Sequence, residues 1–213
     1  ARIYYTLDGS TPTNAATAAC FLYAAPLALA DRSPLANGIA LIRTNPPEMA
    51  NHTQYGWLAP AGTVPKCTVV RAAAFREGYF SPRGAAGTWL IGGEPLQHTL
   101  RVVSLMSDPA NLFGDPLGLF VPGDVYNALG WNGHAVGLPN ANYFQRGDDW
   151  ERQAVVQLFE ADRTLAVSQL MGARNHGGWS RAAAQKTLRL YARAEYGDSR
   201  VDARLFPGQA DTG

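Results

Sequence analysis

Short β-type runs ended by turn residues constrain this chain more than any other feature of its sequence. Runs of β-branched, aromatic and alanine residues recur, and the chain contains 22 glycines and 14 prolines among 213 residues. In the first part of the chain we predict strands at residues 3–6, 20–23, 39–44, 68–75 and 88–91. Several short strands without a helical period are typical of a small antiparallel β-sandwich.

A Gly-Gly-Glu-Pro sequence at residues 92–95 indicates a boundary, so we predict one domain over residues 1–93 and another over residues 98–213. Asp108 followed by Pro109 predicts a capped helical turn, and residues 114–147 are expected to be loop-like. Residues 182–185 predict one further helical turn. The predicted strands of this part are residues 100–106, 154–159, 164–174 and 186–194. The expected fold class is therefore mainly β with minor α.

Composition excludes several classes of protein. Hydrophobic residues make up 46% of the chain, which excludes wholesale disorder. The formal net charge is only +1, which provides no electrostatic basis for binding nucleic acid. No apolar stretch approaches the roughly 18 residues of a membrane span, and the histidines and cysteines lack zinc-ligand spacing. We therefore predict no nucleic-acid partner, no membrane span and no metal site.

The chain has two cysteines, Cys20 and Cys67, and each adjoins a strand-like run. Two alternatives stay open for them: a disulfide between neighbours across a sheet in an exported protein, or two buried free thiols. The chain also begins inside a strand-like run and ends without completing an element. We therefore expect it to be a piece of a longer protein.

Two sets of motifs resemble known families. IYYTLDGSTPT at residues 3–13, VVRAAAF at 69–75 and TWL at 88–90 are similar to the immunoglobulin-like module that follows chitobiase and β-hexosaminidase catalytic domains. That resemblance spans about the first 93 residues, with an insertion between residues 35 and 65. It implies a secreted or cell-surface bacterial protein.

The second set resembles the N-terminal part of the CotH (spore coat protein H) kinase family. Its motifs, in chain order, are VSL at residues 103–105, DPANLF at 108–113, GLFVPG at 118–123, WER at 150–152, LFE at 158–160, GARNHGGWSR at 172–181 and QKTLRL at 185–190. The resemblance implies a partial, kinase N-lobe-like α+β region. It also implies that a longer parent uses ATP and Mg²⁺ to phosphorylate a protein substrate.

By this resemblance Lys186 contacts the nucleotide phosphates, and Gly177, Gly178, Ser180 and Arg181 form the preceding turn. From the residues alone, a lysine in solvent at the start of an edge strand fits better. The acidic residues after Lys186 follow no catalytic-loop or metal-loop pattern. We therefore expect the chain to lack the catalytic second lobe, to hold no catalytic residue and to need no cofactor by itself.

Two hypotheses without catalysis remain beside the kinase fragment. One is a cell-surface or carbohydrate-associated binding or adhesion module, in which Trp57 or Trp131 would contact a glycan. The other is a structural coat component that associates with itself. The expected partner is accordingly a protein substrate of the parent or a cell-surface component.

Overall fold

The computed structural model describes residues 1–49, 51–52, 56–79, 84–92, 100–129, 139–203 and 205. In these residues the chain is mainly β, with two four-stranded antiparallel sheets and two short helices. This confirms the predicted fold class. One sheet is built before residue 93 and the other after residue 100.

The first sheet has the strand order β2-β1-β3-β4. Its strands are β1 (Arg2–Thr6), β2 (Cys20–Leu22), β3 (Thr68–Phe75) and β4 (Ala85–Trp89). Tyr4 and Thr6 are buried on one face of β1, as the two-residue period of a strand requires. The buried Thr6 hydroxyl donates to the Ser10 carbonyl at 2.6 Å, so its burial leaves no unsatisfied donor.

The second sheet is a meander in the order β5-β6-β7-β8. Its strands are β5 (Val102–Met106), β6 (Arg152–Phe159), β7 (Leu165–Asn175) and β8 (Leu188–Tyr191). Leu112 of helix α1 (Pro109–Phe113) packs with Ala154 and Ala173 in the core of this half. The helix begins as predicted, because the Asp108 side chain accepts a hydrogen bond from the Ala110 amide at 3.1 Å.

Several local predictions are wrong or displaced, including the strand predicted at residues 88–91, which lies at Ala85–Trp89. Residues 39–44 form no strand; a 3-10 turn, Ile39–Leu41, lies there, and no described strand pairs with it. The region expected to be loop-like contains helix α2 (Asp124–Leu129), which buries Tyr126. The helical turn expected at 182–185 occurs earlier, as a 3-10 turn at Trp179–Ala182, and β8 begins two residues later than predicted.

Hydrogen bonds join the two halves of the chain. The Thr88 amide in β4 donates to Oε1 of Gln157 in β6 at 2.8 Å, and the Thr11 amide donates to Asp108 at 2.9 Å. The predicted boundary at residues 93–98 lies outside the described residues and stays a prediction. No helix in the described part of the chain is both long and apolar enough to cross a membrane.

The structure separates the two cysteines. Cys20 pairs with Thr6, which pairs on its other side with Arg71, four residues beyond Cys67. Two strand spacings and four residues along a strand place the two Cα atoms on the order of 15 Å apart, whereas a disulfide needs less than about 7 Å. The cysteines are therefore not neighbours across the sheet, and both are free thiols.

Candidate functional site

A pocket lined by arginines lies beside the β7–β8 pair. It has a volume of about 350 Å³ and includes Arg146, Arg174, Arg181 and Arg189 in its lining. Four segments contribute residues to it: the 145–147 loop, the end of β7 with the turn that follows, the 3-10 turn Trp179–Ala182, and β8. We call this site the arginine pocket.

The register of the sheet places two of these arginines together. Arg174 in β7 lies directly opposite Arg189 in β8, so their side chains share one face of the sheet. Tyr191, two residues along β8, lies on the same face, and the Arg174 guanidinium stacks on its ring at 4.3 Å from the centroid. Asn175, the next residue of β7, belongs to the buried face.

Arg181 anchors the base of the arginine pocket. It is buried, and it donates from Nε to the Gly177 carbonyl at 2.7 Å and from Nη1 to the Gln145 carbonyl at 3.0 Å. It therefore ties the 145–147 loop to the turn after β7. Burial, and then the like charge of Arg146, lower the pKa of the Arg181 guanidinium.

The positive charge of the pocket is only partly balanced. Arg174 is ion-paired with Asp148 at 2.8 Å and with Glu151 at 3.3 Å. Within the described residues, no carboxylate lies within ion-pair distance of Arg146, Arg181 or Arg189. Arg189 instead donates to Nε2 of His176. An anion would offset this excess charge, and guanidinium groups are well suited to phosphate oxygens.

The structure brings only part of the predicted site to this pocket. Gly177 and Arg181 line it, whereas Gly178 and Ser180 belong to the same turn without lining it.

Lys186 lies elsewhere, neither in the pocket nor at the start of a solvent-exposed strand. Its Nζ is 3.8 Å from the centroid of the Tyr143 ring and donates to the Ala183 carbonyl at 2.9 Å. Burial lowers the pKa of Lys186 to about 7.

Sequence reasoning missed the other arginines of the pocket. The alternation of Arg189, Tyr191 and Arg193 in the strand predicted at residues 186–194 was a usable signal, since it places cationic and aromatic side chains on one face. Nothing in the sequence indicates that Arg146 joins them, because it arrives from a loop distant along the chain.

The described residues fit phosphate better than a metal ion. In the part of the chain that the structure describes, no group of three or more His, Cys, Asp or Glu side chains could hold a metal. The arginine pocket, by contrast, has guanidinium groups in its lining, and these are donors that phosphate oxygens accept.

Two tryptophans, Trp57 and Trp131, are expected to contact a glycan. Trp131 lies outside the described residues, and the Arg43 guanidinium covers the Trp57 ring at 5.3 Å.

Three other aromatic rings form a partly exposed cluster on the first sheet. In this aromatic cluster the Tyr5 ring is 5.5 Å from Phe21 and 6.4 Å from Tyr23, measured between centroids.

Residues 1–81 match a family model described as Fn3 associated, a fibronectin-III-associated module. The match covers the first three strands and less than half of the chain. No curated protein and no solved structure matches the chain. The finer resemblances to the chitobiase-type module and to the CotH kinases therefore stay proposals.

Proposed function

We propose that this chain carries the phosphate-binding part of a CotH-type atypical protein kinase exported by a bacterium, and that the arginine pocket receives phosphate groups of ATP. The motif resemblance supplies the class of reaction. The observation that carries the proposal is the grouping of Arg146, Arg181 and Arg189 around one pocket, without a described carboxylate to pair them.

The three arginines have different roles in this proposal. Arg181 is buried and held by backbone carbonyls, so it provides a fixed positive potential at the base. Arg146 and Arg189 are exposed at the rim, where their guanidinium groups can donate to phosphate oxygens. Lys186 has no phosphate contact here, since its ammonium group lies against Tyr143.

ATP, when bound, would supply the phosphoryl group, and phosphoryl transfer also requires Mg²⁺ and the carboxylates that hold it. We propose that these carboxylates belong to a second lobe of a longer parent. The chain described here then acts as half of a site. It binds phosphate groups weakly and transfers none by itself.

Isothermal titration of the chain with ATP and with inorganic phosphate tests this proposal. We expect Arg146→Ala and Arg189→Ala each to weaken binding about five- to tenfold, the loss of a charge-assisted hydrogen bond at an exposed site. The matched control is Arg200→Ala, which removes an exposed arginine from a different pocket. Absence of any anion binding, or equal effects of all three variants, would overturn the proposal.

The same titration with ATP is also carried out on a Lys186→Met variant. It should leave the dissociation constant for ATP unchanged, because Lys186 is not among the residues that line the pocket. If Lys186→Met abolished binding and the arginine variants did not, the phosphate site would be at Lys186 and the arginine pocket would be the wrong site.

The aromatic cluster favours a second candidate, a non-catalytic cell-surface or carbohydrate-associated module. Phe21 and Tyr23 are 39% and 42% exposed, and aromatic faces are a common contact for sugar rings and protein partners. A glycan array probed with the chain and with a Phe21→Ala/Tyr23→Ala variant tests it. Tyr79→Ala is the control, since Tyr79 is exposed outside the cluster. Glycan binding that only the double variant abolishes would support this candidate, and binding by neither protein would reject it.

A further inference from the structure

A cleft with a volume of about 570 Å³ is lined by residues of both sheets. Strand β3 contributes Arg71, Ala73 and Phe75, which alternate along the strand and therefore share one face. From the second sheet, Val155 of β6 lies directly opposite Leu170 of β7, so these two side chains also share a face. We call this space the inter-sheet cleft. Its volume is typical of small-molecule sites, which span roughly 300–1,000 Å³.

The inter-sheet cleft contains a cation without an ion-pair partner. Arg71 is half-buried, and its Nη1 donates to the Gly9 carbonyl at 2.8 Å. Within the described residues, no carboxylate lies within ion-pair distance of Arg71. Burial lowers the pKa of its guanidinium more than the charge of Asp108 raises it. A carboxylate bound beside Arg71 would therefore compensate a charge that is partly removed from water.

An acidic side chain lines the same cleft. Glu195 is exposed, and in the part of the chain that the structure describes it forms no ion pair, with Arg71 or with any other cation. Both charges are therefore available to a ligand. The other large side chains that the strands contribute are apolar, apart from Gln153: Phe75, Val155 and Leu170. A ligand that complements this lining carries one negative group, one positive group and an apolar body.

We propose that the inter-sheet cleft binds a zwitterionic dipeptide with apolar side chains, whose carboxylate accepts hydrogen bonds from Arg71 and whose ammonium group pairs with Glu195. The apolar side chains of the dipeptide pack on the apolar lining. Arg71 and Phe75 are four residues apart along β3, which is about 13 Å, and an extended dipeptide spans about 7 Å. The cleft shares no lining residue with the arginine pocket, so this proposal does not depend on phosphate binding there.

Titration calorimetry of the chain at pH 7.0 with dileucine and its capped forms tests this proposal. Amidation removes the carboxylate of the dipeptide and should weaken binding about tenfold, the loss of a charge-assisted hydrogen bond to half-buried Arg71. N-acetylation removes the ammonium group and should weaken binding about two- to fivefold, because an ion pair with exposed Glu195 contributes less. Dileucine with both caps should bind most weakly.

Two variants assign the charges to their partners. In Arg71→Gln, dileucine and its amide should bind equally, and in Glu195→Gln, dileucine and its N-acetyl form should bind equally. Glu77→Gln is the matched control, because Glu77 is an exposed glutamate that lines a different pocket. It should leave all four dissociation constants unchanged.

The comparison of the four peptides on the unaltered chain decides the question even if Arg71→Gln fails to fold. Equal affinities for all four peptides would overturn the proposal, since the two charges would then contribute nothing. Absence of binding by any of the peptides would overturn it as well. Either result would leave the proposed phosphate site standing.

Discussion

The ammonium nitrogen of Lys186 lies 3.8 Å from the centroid of the Tyr143 ring. The ring face and the Ala183 carbonyl, which accepts from the same nitrogen, both favour the charged form of the lysine. Burial disfavours it and is the stronger effect, because the pKa is lowered to about 7. Lys186 therefore changes charge near neutral pH, although no carboxylate in the described residues is ion-paired with it.

The lowered pKa of Lys186 predicts that the free energy of unfolding rises with pH above neutrality. The pKa of Lys186 is lower in the folded state than in the unfolded state, so between pH 7 and about 10.5 the unfolded chain binds more protons. The free energy of unfolding should therefore increase by about 1–2 kcal/mol from pH 7.0 to pH 8.5. Urea denaturation at both pH values measures it, and Lys186→Met should lose the increase.

Lys66→Met is the control for this prediction, because Lys66 is the only other lysine in the chain. Its ammonium group donates to the carbonyls of Ser33, Leu35 and Val64, so the variant also removes these three hydrogen bonds. An equal rise of stability with pH in the wild type and in Lys186→Met would show that Lys186 is not its source.

Asp108 stabilises the start of helix α1 and its contact with the N-terminal half. Burial alone would raise the pKa of Asp108, but hydrogen bonds from the amides of Thr11 and Ala110 and the charge of Arg71 outweigh it and lower the pKa. Asp108→Ala should reduce the free energy of unfolding by about 1–2 kcal/mol at pH 6.

The pH dependence of Asp108→Ala follows from the direction of that shift. A carboxyl group with a lowered folded-state pKa stabilises the fold above its unfolded pKa of about 3.9 and loses the effect as the pH falls through the folded value. The difference between wild type and Asp108→Ala should thus shrink below pH 4. Asp202→Ala, at an exposed carboxylate, should change little at either pH. A difference independent of pH would contradict this explanation.

Gln157 connects the two sheets through the Thr88 amide, and its Nε2 also donates to Ser168 Oγ at 3.0 Å. Gln157→Leu should leave the buried Thr88 amide without an acceptor and reduce the free energy of unfolding by about 1–3 kcal/mol. Hydrogen exchange at the Thr88 amide should become faster in this variant. Gln153→Leu, at an exposed position of the same strand, should change stability by less than about 0.5 kcal/mol. Equal effects of the two variants would argue against this role of Gln157.

The two glycines of the turn after β7 should respond differently to alanine. Gly177 has a φ of +105°, and a Cβ there would overlap Ser180 Oγ. Gly178 has a φ of −100°, and a Cβ added there would meet no atom within 4 Å. Gly177→Ala should cost about 1 kcal/mol or more in unfolding free energy and weaken phosphate binding, while Gly178→Ala should do neither. Thermal unfolding and phosphate titration of both variants check this, and a similar result for both would contradict it.

Much of the secondary structure was predictable from local patterns. Strand β3 (Thr68–Phe75) lies where it was predicted, because its run of strand-forming residues is bounded by turn residues. Helix α1 was predictable because Asp108 and Pro109 act on the adjacent turn alone. The same reasoning failed at residues 39–44, where a short apolar run has no partner strand in the described sheets and forms a 3-10 turn.

The sequence by itself determined the mainly β class and most element positions, because propensities, caps and turn residues act over a few neighbouring positions. Only the tertiary structure decided the candidate site. It placed Arg146 beside Arg181 and Arg189, and it turned Lys186 onto Tyr143. The physical reason is that strand register and loop packing determine which distant side chains share a pocket, and both depend on contacts between segments far apart in the chain.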